Sequence, residues 1–119
     1  MFKFEKLEVW ELSLEYIDMI YTIANRLPDV EKFNLNSQMI RAASSIALNI
    51  AEGSTGQSNA EQKRFLGIAL RSLIETIACM KLIERRQYVQ KDDLKKIFDF
   101  SEKLLAKLTA FRKALSRND

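Results

Sequence analysis

Cationic side chains are the residues of this sequence whose types and spacing suggest chemistry. The 119-residue chain carries 19 lysines and arginines against 16 acids, but residues 63–119 hold 14 of these cations and only seven of the acids. Because lysine and arginine bind the phosphates of nucleic acids, we expect a polyanion to bind to the second half of the chain. The alternative is an ordinary solvated surface. The candidate nucleic-acid-binding residues are Lys63, Arg64, Arg71, Lys81, Arg85, Lys96, Lys103 and Lys107.

The residues that common catalytic and metal sites need are missing or have simpler structural explanations. The chain has no histidine, which excludes histidine-based acid–base catalysis, Ser-His-Asp triads and the usual zinc sites. Its single cysteine, Cys79, lies in an apolar helical pattern that is typical of a buried thiol. Glu52 and Glu61 flank a loop without the spacing of a phosphate cradle, and capping or ion pairing explains them more simply than acid–base catalysis. We therefore expect neither an enzyme nor a bound cofactor or metal.

Long helices must position the cationic residues, because three glycines and one proline leave few breaks in the chain. Apolar residues at helical spacing predict helices at about residues 7–27, 37–52, 59–86 and 91–117. Asn36 and Ser58 are the expected N-caps of the second and third helices, and Gly53 is expected to end the second helix in a left-handed conformation. The prediction is an all-α fold, in which residues 1–119 form one antiparallel up-down-up-down four-helix bundle.

The first helix carries two apolar stripes where a bundle helix needs one. We assign the first stripe to the core of the bundle, so Ile17→Glu should unfold the chain. This first stripe consists of Leu7, Trp10, Leu14, Ile17, Tyr21 and Ala24. The second stripe is the predicted homo-oligomer interface, where Ile20→Glu should give folded monomers. A broad helix wedged centrally in its own bundle is the alternative. The predicted interface consists of Val9, Leu12, Tyr16, Ile20, Ile23 and Leu27.

The second helix is predicted to allow close packing, because its apolar face is built largely from small residues. Alanines keep such a face thin, so neighbouring helices can approach nearer than the usual distance of about 8–10 Å. The face consists of Leu35, Met39, Ala42, Ala43, Ile46, Ala47 and Ile50.

Several blocks of the sequence resemble a bacterial four-helix-bundle family encoded in intervening sequences of 23S ribosomal RNA genes. The accessory protein of diversity-generating retroelements is a similar relative. The resemblance implies a ring-like homopentamer with a basic outer surface and, by way of the retroelement relative, binding to nucleic acid and to a reverse transcriptase. The matching blocks are Phe4–Trp10, Glu31–Gln38, Arg41–Gly53, Arg64–Ala69 and Ser72–Glu75.

Two functions remain open on the sequence. The first is a homo-oligomer that binds RNA or DNA largely independently of sequence, since no aromatic residue is clearly interleaved with the basic strip. The second is a protein-interaction scaffold that uses the acidic strip of the first helix, Glu8, Glu11, Glu15 and Asp18. The start of the chain does not resemble a signal peptide and no apolar run reaches membrane-spanning length, so we expect a cytoplasmic protein that does not contact a membrane.

Overall fold

Four α-helices make up most of the structure. The computed structural model describes residues 1–56 and 58–117, with only the backbone at residue 117. Helix α1 spans Glu8–Ala24, α2 spans Leu35–Gly53, α3 spans Asn59–Arg86 and α4 spans Lys91–Arg117. Short 3-10 turns at Lys3–Lys6 and Asp29–Glu31 precede α1 and α2, and the described residues contain no strand. The predicted all-α fold is confirmed.

The packing of the helices is consistent with the predicted up-down-up-down order. Helix α2 packs against α1 and α3, and α4 packs against α3 and α1. Arg26, just after α1, forms a 3.0 Å ion pair with Asp93 at the start of α4. Lys107, in the second half of α4, pairs at 3.0 Å with Glu8 at the start of α1. These two ion pairs lie at opposite ends of α1, so α1 and α4 run antiparallel.

Local interactions explain where the helices begin and end. The Ser58 side chain accepts a 3.1 Å hydrogen bond from the backbone N–H of Glu61, which confirms Ser58 as the N-cap of α3. Gln87 ends α3 in the left-handed conformation, with φ of 59°. The prediction for the start of α2 is wrong, because Asn34 rather than Asn36 is its N-cap. The Asn34 side chain makes no hydrogen bond to the backbone at the start of α2. Its amide oxygen accepts from the Gln38 side chain, and its amide nitrogen donates to the Glu31 carboxylate.

Gly53 is the last residue of α2 and serves close packing rather than a left-handed turn. It is helical and buried, and Ser54 follows it as the C-cap. A Cβ atom on Gly53 would lie 3.0 Å from the Cβ of Phe65 on α3, a tighter contact than most Cβ atoms make. The expected left-handed Gly53 is therefore wrong, and it is the proximity of α3 that favours a glycine at this position.

The core is apolar, with a few hydroxyl groups that are satisfied between helices. All seven residues of the predicted α2 face are buried, which confirms that face. Tyr16 of α1 lies 2.8 Å from the Thr76 hydroxyl of α3, and Thr76 donates its own hydrogen to the Leu73 carbonyl. Tyr16 therefore donates to Thr76. Ser72 of α3 donates to Ser45 of α2 at 2.9 Å, so hydroxyl pairs link α3 to both α1 and α2.

Helix α1 is turned the opposite way from our prediction. The residues assigned to the oligomer interface pack into the chain's own core, whereas Leu14 and Tyr21 of the predicted core stripe are 37% and 46% exposed. The physical reason is that burial of the stripe containing Tyr16 is compensated by its hydrogen bond to Thr76 and its stacking on Phe100. The predicted interface is therefore wrong. Five of its residues are buried and Leu27 is half-buried; the five are Val9, Leu12, Tyr16, Ile20 and Ile23.

Candidate nucleic-acid interface

The structure divides the predicted cationic residues between two surfaces. Arg64 and Arg71 lie on α3 and face a groove between α3 and α4. The predicted lysines of α4 lie instead on the flank of that helix that meets α1, where Lys107 pairs with Glu8 and Lys96 borders a depression beside α1. Because these surfaces lie on different sides of α4, the predicted residues do not form one continuous patch.

The lysine surface on α4 is partly neutralised. Lys107 is paired with Glu8, and Lys96 borders a depression of about 180 Å³ whose other lining residues include Asp93. The Lys103 ammonium lies 5.7 Å from the centre of the Phe100 ring, a cation–π distance. A phosphate that bound here would compete with the neighbouring carboxylates.

The groove between α3 and α4 is more strongly cationic. Its volume is about 600 Å³, and none of the described residues that line it is acidic. Three arginines face it, two from α3 and one from α4. The lining residues are Arg64, Gly67, Ile68, Leu70, Arg71 and Arg112.

Arg112 is held in place by the backbone of α3. Its Nε donates a 2.9 Å hydrogen bond to the carbonyl of Lys63, which leaves both Nη groups available to donate. The guanidinium lies over Gly67, where a Cβ atom would be 3.4 Å from Nη2 and 3.6 Å from Cζ. The missing side chain of Gly67 therefore leaves room for Arg112 to reach α3.

Arg64 and Arg71 differ in how firmly they are fixed. The Nε and Nη2 of Arg64 both donate to Glu61 Oε1, at 3.0 and 2.7 Å, and its guanidinium lies 4.5 Å from the centre of the Phe65 ring. This carboxylate raises the pKa of Arg64 above its usual value. Arg71 is exposed and has no ion-pair or hydrogen-bond partner among the described residues. Arg71 is thus the most available cation of the groove.

The other predicted residues of α3 lie outside the groove lining. Lys81 is placed over the Phe98 ring at 4.5 Å, and Arg85 lies exposed near the end of α3. Lys63 is half-buried, and its carbonyl supports the groove by accepting a hydrogen bond from Arg112. Lys81 and Arg85 are predicted from the sequence to bind nucleic acid together with Arg71, but their positions relative to α4 depend on packing that no local pattern shows.

Arg112 and Lys113 are cationic residues that the prediction missed. Both line a second depression of about 290 Å³, which also includes Leu70 and Thr109. The available signal was weak, because α4 has a charged residue in nearly every turn. Only the packing of α4 on α3 at Gly67 distinguishes Arg112 from the others.

The described residues offer little support for other chemistry. They contain no cluster of three or more cysteine, aspartate or glutamate residues that could hold a metal ion. Cys79 is buried, and burial raises the pKa of its thiol, which disfavours the reactive thiolate. Within the described part of the chain, none of the helices is long and apolar enough to cross a membrane.

The chain is similar to a known protein family and to a solved structure. The family model described as 23S rRNA-intervening sequence protein matches residues 5–110. A solved structure from Bacteroides thetaiotaomicron, described as a protein with unknown function from the S23 ribosomal protein family, is 29% identical, with a TM-score of 0.80. The match covers 88% of this chain and 95% of that chain. None of the curated proteins matches.

Proposed function

This chain belongs to the 23S rRNA-intervening sequence protein family, and we propose that it is a cytoplasmic, non-enzymatic homo-oligomer that binds nucleic acid through the cationic surface of α3 and α4. The observation that carries the proposal is uncompensated positive charge. Arg71 and Arg85 of α3 are exposed and have no acidic partner among the described residues. Phosphates would supply the missing negative charge, and release of their counterions would drive binding.

The exposed apolar edge of α1 supports self-association. Leu14 and Tyr21 are 37% and 46% exposed, and the half-buried Trp10 and Ile17 lie on the same side of the helix. Leu48 of the neighbouring helix α2 is 59% exposed. Burial of a large apolar side chain stabilises by about 1.5–3 kcal/mol, so a second copy that covered this edge would gain several such contributions. This edge replaces the interface that the sequence predicted.

Binding of the purified full-length protein to a fluorescein-labelled 20-nucleotide single-stranded RNA tests the proposal. We expect affinity to fall steeply between about 50 and 500 mM salt, with a slope of about −0.7 per phosphate contacted. An oligonucleotide with neutral methylphosphonate linkages is the control, and it should not bind. Light scattering on the same sample should give a mass that is a multiple of the 13.8 kDa chain.

A protein-interaction scaffold is the competing function. It predicts an oligomer that ignores RNA at every salt concentration and binds a protein partner, such as a reverse transcriptase, in a salt-insensitive way. The acidic side chains of α1 are the surface it would use. An RNA titration without any anisotropy change at low salt would reject nucleic-acid binding in favour of this alternative.

A further inference from the structure

We propose that the groove over Gly67 is a phosphodiester-binding site, in which Arg71 and Arg112 bind one backbone phosphate of a nucleic-acid strand. The inference rests on the proposed nucleic-acid binding, but it replaces a diffuse basic surface with one defined site. The three arginines converge from two helices, and none of the described lining residues carries a negative charge. Guanidinium groups suit this ligand because their planar forks match the oxygens of a phosphate.

Two of the three arginines are held in place before any ligand arrives. Arg112 is fixed by its 2.9 Å bond to the Lys63 carbonyl, and Arg64 by Glu61 and the Phe65 ring. Restraint of a long side chain before binding reduces the entropy that binding must remove. Arg71 is the one arginine of the three without a partner among the described residues, so it is the one that a phosphate would newly order.

Gly67 determines how closely a phosphate can approach. No side chain projects from α3 at position 67, and the Arg112 guanidinium lies directly above it. A Cβ atom at this position would already be in van der Waals contact with Nη2 at 3.4 Å, so the further atoms of a larger side chain would occupy space in the groove beside the guanidinium. The shape of the groove and its positive charge can therefore be changed by separate substitutions.

The groove continues in a way that suits a strand better than a small anion. The second depression, which includes Thr109 and Lys113, shares Leu70 and Arg112 with the groove. A chain-like ligand could thus lie from Arg64 past Arg112 to Lys113. The methyl groups of Leu70 and Ile68 offer apolar surface beside the cations, where a sugar could pack. An acidic peptide shares the charge of such a strand but not its regular phosphates.

Two variants of the full-length protein test the site in the RNA assay. Gly67→Leu fills the groove at constant charge, and Arg112→Gln removes one cation at constant fold, since Arg112 is exposed. Each should weaken binding of the 20-nucleotide RNA about tenfold or more, the loss expected for one charged hydrogen bond. Arg112→Gln should also reduce the steepness of the salt dependence by about 0.7, one phosphate contact.

Matched controls isolate the groove. Ala78→Leu places the same side chain at an exposed position further along α3, and Lys91→Gln removes a charge at the opposite end of α4 from Arg112. Both should bind within about twofold of the wild-type protein, because surface changes of this kind have small effects. Circular dichroism of all four variants tests whether each is folded. If Gly67→Leu does not fold, the RNA affinity of Arg112→Gln alone tests the groove.

The outcomes separate this site from the general function. If the wild-type protein binds RNA and all four variants bind equally well, the groove is rejected while nucleic-acid binding stands. If the wild-type protein binds no RNA, both proposals fall. Inorganic phosphate and polyglutamate are added as competitors at equal ionic strength. If polyglutamate displaces the labelled RNA as effectively as unlabelled RNA does, the groove binds acidic peptides. If inorganic phosphate displaces it as effectively, the groove binds a free anion. Either result would overturn the proposal.

Discussion

A carboxylate joins two loops at one end of the bundle. Glu31, in the 3-10 turn before α2, is only 8% exposed. It accepts a 2.8 Å hydrogen bond from the hydroxyl of Tyr88, which lies between α3 and α4, and a 3.1 Å bond from Asn34. Mainly because the Tyr88 hydroxyl donates to it, the pKa of Glu31 lies below its usual 4.5. The same bond raises the pKa of Tyr88.

The Glu31–Tyr88 bond should make stability depend on pH in a defined direction. Because the folded-state pKa of Glu31 is lowered, its contribution is fully present above 4.5 and is lost as pH falls through the folded-state pKa. Tyr88→Phe should therefore lower the free energy of unfolding at neutral pH, and its difference from wild type should shrink as the solution is acidified below that window. Urea unfolding across the acidic range measures both quantities, with Tyr21→Phe on an exposed tyrosine as control. A Tyr88→Phe difference that stayed constant down to strongly acidic pH would contradict this role of Glu31.

The orientation of α1 determines which substitutions the helix tolerates. Ile20 is fully buried and Leu14 is 37% exposed. Ile20→Glu would bury an unpaired carboxylate, at a cost that can match the stability of about 5–15 kcal/mol of a whole domain, so we expect it to unfold the chain. Leu14→Glu should stay folded with a change of about 1 kcal/mol or less, and should instead break the oligomer.

Circular dichroism and light scattering distinguish these results, with Thr22→Glu as a control that adds a carboxylate to an exposed position of the same helix. Thr22→Glu should keep both helicity and mass. Folded monomers from Ile20→Glu would restore the orientation that the sequence suggested. An unchanged mass for Leu14→Glu would show that the exposed edge of α1 is not an interface.

Helix α1 also shows what sequence periodicity can and cannot determine. The small apolar face of α2 is predictable because one stripe is much more apolar than its surroundings. On α1 both stripes are apolar and share the same spacing, so the choice depends on partners distant in sequence, such as Thr76 for the Tyr16 hydroxyl. The groove between α3 and α4 likewise depends on contacts between residues that are distant in sequence. Arg112 reaches the Lys63 carbonyl across 49 residues, and no local pattern marks that contact.

The distribution of charge over the whole molecule links assembly to binding. The acids of α1 and the cations of α3 and α4 belong to opposite halves of the sequence, and the bundle folds them into one rod of 46 × 23 × 22 Å. One subunit offers a single groove to a strand. An oligomer repeats the groove, so a strand long enough to reach a second subunit gains affinity without any new kind of contact.

Disruption of the oligomer should therefore weaken binding in a manner that depends on RNA length. Leu14→Glu leaves the groove of each subunit intact, so its affinity for a strand of about six nucleotides should match that of the wild-type protein. For a strand of about 40 nucleotides the wild-type protein should bind at least about 100-fold more tightly than Leu14→Glu, because avidity commonly contributes factors of about 10² to 10⁴. Thr22→Glu adds the same charge to α1 away from the exposed edge and the groove, so its affinity should rise from the short to the long strand by the same factor as that of the wild-type protein. Equal affinity of Leu14→Glu and the wild-type protein for the long strand would mean that each subunit binds alone, and that self-association serves some purpose other than holding nucleic acid.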